Sequence, residues 1–404
     1  MTHPAVSVVV VSLGRPAELN RCLVGLFQLD YAPFEVVVVA DAESCKGLGT
    51  FQRRIKLVHF ETVNISAARN AGIAQACGEI VAFIDDDAVP EPSWLLHLIA
   101  PFSDPYTAIS GGFVIGRNGI SLQWAARQVQ RDGTAEAIEP WGDTPRRFDP
   151  KSRIIAKTEG TNMAVRRTVL EAVGGFDEAF AFYLDETDLN VRIADAGHVT
   201  AVVPMARVHH GFAASARRTA HRVPRDLTEI AASTAVFQRK HLGRTDKAPA
   251  RRAQRLRLVR HMVAGDLMPG DVLRMMRGFD RGWSAGETRD ANQRAQPSTP
   301  PEFKPVTVQV RGHRTMTARF WRANRATAHA IKAVEGGSRV TLFLFSATAR
   351  KHKVWFDPRG FWVQRGGQFG PSERDQPWFR RWRAKTRTQQ EMARLSQVRP
   401  FDAG

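Results

Sequence analysis

The first half of the chain predicts an α/β fold with a mostly parallel central sheet flanked by helices; a C-terminal helical and small β region follows. Two observations carry this. Short runs rich in Val and Ile alternate with segments of helical periodicity in a βαβαβαβ order, the pattern of a parallel sheet covered on both faces. The formal charge also changes sign along the chain. Residues 1–213 hold 19 Lys+Arg against 25 Asp+Glu, a net of −6; residues 214–404 hold 39 against 15, a net of +24. Such asymmetry separates modules with different partners. It divides the chain into residues 1–213, a basic helical extension over 214–296, and a small basic β-containing region over 297–404.

Taken in order, Val6–Val11 is a β-branched strand. Gly14 turns the chain, Pro16 suits a first helical position, and Leu19, Cys22, Leu23, Leu26 and Phe27 recur at helical spacing. Phe34–Ala40 is a second strand ending at Asp41, and Ile55–Phe60 a third. Asn64 caps a helix over Ile65–Cys77, which Gly78 stops. Ile80–Ile84 is a buried strand, and Pro90 and Pro92 open a helix through Trp94, Leu95, Leu98 and Ile99. Ala108–Ile115 is a further strand, whereas residues 116–153 mix Gly, Pro and charge without a pattern. Gly160–Val165 reads as a loop entering a strand, Thr168–Val173 as a helix stopped by Gly174-Gly175, Glu186–Ala196 as a helix ended by Gly197, and Val199–Val203 as a last strand before Pro204.

Beyond His210, Arg225–Leu242 suits a helix and the Arg-rich 244–260 a helix with a basic face. Residues 284–305, with Pro297, Pro300, Pro301 and Pro305, read as a linker. Val340–Phe345, Val354–Phe356 and Phe361–Gln364 are short strands, the last two a hairpin around Asp357-Pro358-Arg359-Gly360, and Trp378–Arg399 is a basic helix or tail.

The three cysteines form no C-x-x-C pair and suggest neither a disulfide framework nor a zinc site, so a reducing compartment is expected. No stretch has the length of a transmembrane helix or a signal h-region. A cytoplasmic location, peripheral at the inner face of the cell membrane, is the expectation.

The densest chemistry is Asp85-Asp86-Asp87, directly after the strand Ile80–Ile84. Three carboxylates at the carboxyl end of a buried strand repel one another and call for a cation. That end is where open α/β sheets bind ligands. Asp85 and Asp87, two residues apart, share a face of an extended segment. A divalent metal holding a phosphorylated ligand follows, against the plainer reading of a solvated acidic turn. Asp41 either caps the turn before Ser44 or recognises a ligand. Arg69, on a helix of small residues, bridges to a phosphate or pairs with Asp85 or Glu79. Asp185-Glu186-Thr187-Asp188 is a candidate general base or an acidic helix N-terminus. His209 and His210 point opposite ways in an extended segment, so one at most joins the metal.

Ser7 to Arg15, Asp41, Ser66–Gly72 with Ala68-Arg69-Asn70-Ala71-Gly72, the aspartate run, Gly160-Thr161-Asn162-Met163, Gly174-Gly175-Phe176-Asp177-Glu178 and Asp185–Leu189 together resemble, in order, the family 2 glycosyltransferases of GT-A fold. The resemblance covers about half the chain. It implies a metal-dependent inverting transfer of a sugar from a nucleotide-diphosphate donor to a glycan or glycolipid hydroxyl, in polysaccharide or cell-envelope biosynthesis. Donor-binding residues would be Ser12, Arg15, Asp41, Arg69, Asn70, Asp85 and Asp86. Asp87, Asp85 and His210 would hold Mg²⁺ or Mn²⁺. Glu186, Asp185 and Asp188 would form the catalytic cluster, with Glu186 or Asp185 as base, since the family's Glu-Asp-x-Asp is Asp-Glu-x-Asp here. Gly160, Thr161 and Asn162 would line the acceptor side, built from residues 106–213.

A nucleotidyltransferase would usually show a Gly-rich loop near the first strand, where Ser12-Leu13-Gly14-Arg15 has one glycine. The other alternative is a basic scaffold that binds membrane or nucleic acid through residues 214–404 beside an inert first half. The partners expected are the sugar nucleotide, a glycan or lipid-linked acceptor, and an anionic membrane touched peripherally by the basic half. A nucleic-acid partner is not expected, because no established motif for one is present.

Overall fold

The computed structural model describes residues 3–139, 141–152, 154–211, 219, 223–292, 301–308 and 312–402. β1 (Val6–Ser12) and β2 (Phe34–Ala40) are buried on both faces, as their near-continuous valines require. Between them Gly14, at φ 67°, turns the chain into α1 (Pro16–Leu26), which buries Leu19, Cys22, Leu23 and Leu26. β3 (Lys56–His59) leads to α2 (Ile65–Ile73), capped by the Asn64 side chain at 3.1 Å from Ala67 N. α2 stops four residues short of the expected Cys77. Gln75 and Ala76 already make tighter turns, to Gly72 and Ile73, and a Cβ at Gly78 would lie 2.5 Å from Ser7 N, so the chain is already pressed against β1.

β4 (Ile80–Asp85) is followed by β5 (Ala88–Pro90) and then α3 (Trp94–Ile99). Pro90 therefore does not open a helix as expected. It pairs with Val208 at a sheet edge, where a missing N–H is tolerated. β6 (Thr107–Ile115) precedes four short strands in the segment without sequence pattern: β7 (Leu122–Trp124), β8 (Arg127–Val129), β9 (Ala135–Ala137) and β10 (Arg146–Phe148). β11 (Ile155–Lys157), β12 (Met163–Arg166), α4 (Arg167–Ala172), α5 (Asp185–Asp195) and β13 (Val199–His210) complete the first half. β13 does not end before Pro204. It passes through a register shift between Val203 and Arg207, which absorbs the proline and carries the strand on to His210.

The ten strands of the central sheet run β10-β13-β6-β12-β4-β1-β2-β3, with β5 beside β13 and β7 beside β6. β3, β2, β1 and β4 are mutually parallel; β12 is antiparallel to both β4 and β6. The expected α/β architecture, a central sheet with helices on its faces, is thus observed, its far half mixed rather than parallel.

In the second half, α6 (Thr228–Leu242) and α7 (Lys247–Val263) match the expected helices, and Leu258 is the one buried residue of α7. α8 (Pro269–Thr288) was not anticipated and runs into the expected linker. It buries Met275, Met276, Phe279 and Trp283. Its glycines let it touch α6: a Cβ at Gly282 would lie 2.0 Å from Thr228 O. Pro297 and Pro300 lie outside the described residues. β14 (His313–Arg319) and α9 (Ala323–Glu335) were not anticipated; with β15 (Arg339–Ser346), the strand expected over Val340–Phe345, they form a βαβ unit. β16 (Lys353–Asp357) and β17 (Phe361–Gly367) form the expected hairpin, and α10 (Ala384–Leu395) occupies part of the expected basic tail. The small sheet runs β14-β15-β17-β16.

This C-terminal unit is fastened to the first half. Met205 of β13 packs with Phe343, Phe345, Leu395 and Val398. The fully buried Arg399 meets Glu91 twice, at 2.5 and 2.7 Å, lies 3.9 Å from the Trp362 ring, and shares Glu91 with His209 at 2.7 Å. Burial opposes the Glu91 charge, but Arg399 and His209 outweigh it and hold the carboxyl well below its usual range.

Removing one partner of such a buried pair leaves an uncompensated charge. Arg399→Met should therefore lower unfolding free energy by about 3 kcal/mol, read by urea denaturation, and no loss would show that Glu91 does not depend on Arg399. A pH dependence follows from two buried histidines. Burial pushes His352 down to about 4 and His313 down to about 3. His352 Nδ1 accepts from Gln364 Nε2 at 2.8 Å, so Nε2 carries the proton donated to Gly367 O at 2.9 Å, and the folded ring is neutral. The unfolded chain takes up these protons at about 6.5, so stability is full above that pH and is lost as pH falls toward about 4, by roughly 1.4 kcal/mol per unit per histidine. His352→Gln should remove one histidine's share of that slope in urea unfolding followed from neutral to mildly acid pH; an unchanged slope would contradict it.

Candidate active site

The loops at the carboxyl ends of β1, β2 and β4 meet around the aspartate run. Asp41, at the end of β2, accepts from Gly14 N through both oxygens (3.0 and 3.1 Å) and from Ser44 N (2.9 Å). It therefore does cap the turn, and it ties the loops after β1 and β2 together. Asp86 points away from its neighbours and is buried; Ser12 Oγ donates to it at 2.7 Å and Arg15 Nη1 lies 2.9 Å away. Burial raises its carboxyl to about 7 against the pull of Arg15. Ser12 and Arg15 thus hold Asp86.

Asp85 and Asp87 face the other way, toward the end of β13. His210 Nε2 lies 3.0 Å from Asp87 Oδ1 and 3.9 Å from Asp85 Oδ2. Ligand atoms of all three residues lie within 4.8 Å of one another. His210 Nδ1 is 3.1 Å from Gln123 Oε1, an acceptor, so Nδ1 carries the proton and the Nε2 lone pair faces the aspartates. Two carboxylates and a neutral imidazole are a fitting donor set for Mg²⁺ or Mn²⁺. Strand alternation sends His209 to Glu91 instead.

Arg69 of α2 joins this group to the next. Its Nη2 lies 3.5 Å from Asp85 Oδ1, and its Nη1 is paired with Asp185. Its guanidinium lies 5.2 Å from the Phe176 ring and flat against Gly160, where a Cβ would sit 2.3 Å from Nη2. Asn70, beside it, is used up internally: it donates to Phe176 O (2.9 Å) and Glu178 Oε1 (3.0 Å) and accepts from Phe176 N.

Leu184, in the left-handed region at φ 65°, turns the chain so that α5 starts at Asp185. Burial and the neighbouring Glu186 raise the Asp185 carboxyl against Arg69. Glu186 remains partly exposed. Burial works to raise it, but Lys157, the hydrogen bond shared with Asp185, and Arg69 outweigh that and hold it at about 2. Lys157 Nζ lies 3.0 Å from Glu186 and 2.7 Å from Glu159. Sequence reading missed both Lys157 and Glu159. Their i, i+2 spacing in an extended segment, which puts opposite charges on one face, was the available signal.

Two expectations are corrected. Asp188 lies on the other side of α5, fully buried among Arg192 (2.7 Å), Lys240 (2.8 Å) and His241 (2.8 Å), which together bind α5 to α6. It belongs to the packing of the two halves and not to the cluster of Asp185 and Glu186. Gly160, Thr161 and Asn162 are all buried. Asn162 donates to Phe113 O and Ala206 O and accepts from Trp94 Nε1, so it braces β6, β13 and α3 and does not line an acceptor surface.

The profile of glycosyl transferase family 2 matches residues 7–174. Among curated proteins, the chain is 30% identical over 242 residues to the O-antigen biosynthesis protein RfbC of Myxococcus xanthus, covering 54% of this chain and 18% of that protein. It is 28% identical over 216 residues to the pre-mycofactocin glycosyltransferase of Mycobacterium tuberculosis, covering 52% of this chain and 43% of that one. The chain thus spans less than half the length of either relative. Among solved structures, a mannosyltransferase of Pyrobaculum calidifontis aligns with a TM-score of 0.40 and 18% identity, over 71% of this chain and 74% of that one. Residues 7–174, which carry the parallel strands, the aspartate run and Arg69, are a glycosyl transferase family 2 domain.

Proposed function

We propose that this protein transfers a sugar from a nucleotide-diphosphate donor to a hydroxyl of a glycan or glycolipid, with inversion at the anomeric carbon and with Mg²⁺ or Mn²⁺. The observation that carries the reading is the convergence of Asp85, Asp87 and His210, with Glu186 joined to them through Arg69 and Asp185. Asp85, Asp87 and His210 would hold the metal, which would supply Lewis-acid neutralisation of the leaving diphosphate. Asp41, at the end of β2, is placed for the nucleoside; Ser12 and Arg15 act by fixing Asp86 and so the turn that presents Asp87.

Glu186 is the base. Lys157 keeps it ionised at neutral pH, and it is the more exposed of the two candidates, whereas Asp185 is buried and engaged by Arg69. Its carboxylate takes the proton of the acceptor hydroxyl as that oxygen attacks the anomeric carbon and the diphosphate leaves from the opposite face. One displacement of this kind inverts the configuration. The acceptor approaches the Glu186 side, from residues 106–213. Envelope or polysaccharide assembly, at the inner face of the cell membrane, is the setting we assign. No helix among the described residues is long and apolar enough to cross a membrane.

Release of nucleoside diphosphate from a panel of sugar nucleotides with Mn²⁺ tests the assignment. Asp87→Ala should lose it by about 100-fold or more; equal release by wild type and variant from every donor overturns the reading. Glu186→Gln should keep donor and Mn²⁺ affinity while the transfer rate falls by roughly 10²–10⁴. If donor or metal affinity falls instead, Glu186 belongs to the metal site and is not the base.

A further inference from the structure

A cavity of about 800 Å³ opens in the C-terminal unit, where β14 and β15 end and α9 begins. Its floor is apolar: Phe345 is fully buried there, and Met316, Ala318 and Ala326 are partly so. Its walls carry three guanidiniums, Arg319, Arg322 and Arg325, beside His329, and among the described residues no Asp or Glu lines it. Arg322, Arg325 and His329 follow one another at i, i+3 and i, i+4 steps, so they share one face of the α9 segment. Neighbouring like charges on a helix face destabilise it unless something compensates them.

Arg319 is held in place: its Nη1 donates to Gln368 Oε1 at 2.6 Å, and Gln368 in turn donates to Trp382 O. The side chains of Arg322, Arg325 and His329 make no hydrogen bond or ion pair with any other described residue. Three guanidiniums in a concave site without a protein carboxylate fit one ligand chemistry, a phosphate, whose oxygens accept the paired N–H groups of arginine. Exposed aromatic side chains adjoin the lining residues along the chain. Phe320 is 45% and Trp321 64% exposed, between Arg319 and Arg322, and Phe379, 47% exposed, packs on Phe369 beside Gln368.

We propose that this cavity is a phosphate-binding site, separate from the aspartate-lined site of the family 2 domain. It takes a phosphate group carried either by a free phosphorylated molecule or by a phospholipid head. The apolar floor and the adjoining aromatic side chains receive what the phosphate is attached to. The site does not depend on the transfer reaction, and its test reads binding alone.

The test uses the full chain without divalent metal. Inorganic pyrophosphate is titrated calorimetrically, and in a second arm the protein is sedimented with phosphatidylcholine vesicles with and without phosphatidylglycerol. Arg322→Gln with Arg325→Gln alters two exposed cavity residues; Arg252→Gln with Arg255→Gln, exposed on α7, removes the same charge elsewhere. The cavity variant should weaken binding by about tenfold or more in at least one arm, with the control unchanged there. Loss in the pyrophosphate arm identifies a free phosphorylated molecule as the source, and loss in the vesicle arm alone identifies the lipid head. The proposal is overturned if the cavity variant binds as wild type does in both arms, if the control weakens as much, or if wild type binds neither probe.

Discussion

Everything in the candidate site turns on one buried cation. Arg69 is 5% exposed and faces Asp85 on one side and Asp185 on the other. Burying a charge is costly unless it is paired, and each of these carboxylates would in turn be costly without Arg69. The arginine therefore fixes the spacing between the strand end after β4 and the first turn of α5. The constraint spreads outward. Gly160 has no side chain because the guanidinium lies against it, and Asn70 grips the loop after α4 from the next position on α2. Next to Asp185, Glu186 is paired by Lys157, which also pairs Glu159. Arg69 and Asp185 thus stand between the aspartate pair and the candidate base.

A second constraint comes from the far end of the sequence. His210 reaches Asp85 and Asp87 because β13 stays paired to its last residue. β5 pairs with that end, His209 bonds Glu91, and Arg399 closes the arrangement from the C-terminal unit. The basic half is thus part of the scaffold of the aspartate site as well as a surface of its own. Most of its arginines on α7 are solvated, whereas Arg387 and Arg399 are buried against Glu391 and Glu91. Net charge alone does not distinguish these two roles.

What could be read from the sequence was what has a local physical cause. Valine runs mark β1 and β2 because strands buried on both faces tolerate little else. The aspartate run stood out because repulsion demands a ligand or partner. That at most one of His209 and His210 would face the aspartates followed from strand alternation. What could not be read depended on tertiary partners. α8 was hidden because Gly282 and Gly286 weaken a helix locally and are kept for the close approach to α6. Asp188 carries the same charge as Asp185 three residues away, yet one turn of helix places it against Lys240 and His241 of a segment far along the chain. The buried Asn162 looked like a polar loop residue, and only the packing of Trp94, Phe113 and Ala206 around it shows where its amide is used.

The claim that the two carboxylate groups form one electrostatic unit is tested most directly by a Mn²⁺ titration of Asp185→Asn, followed by electron paramagnetic resonance of the free ion. Asp185 is not among the three candidate ligands, so a purely local metal site would not notice its loss. With Asp185 neutral, the Arg69 charge falls wholly on Asp85, 3.5 Å away, and opposes a cation there. The account predicts Mn²⁺ affinity lower by about tenfold, the scale of one charge at this range in a water-like dielectric. Unchanged affinity, in a variant that unfolds like wild type, would contradict it.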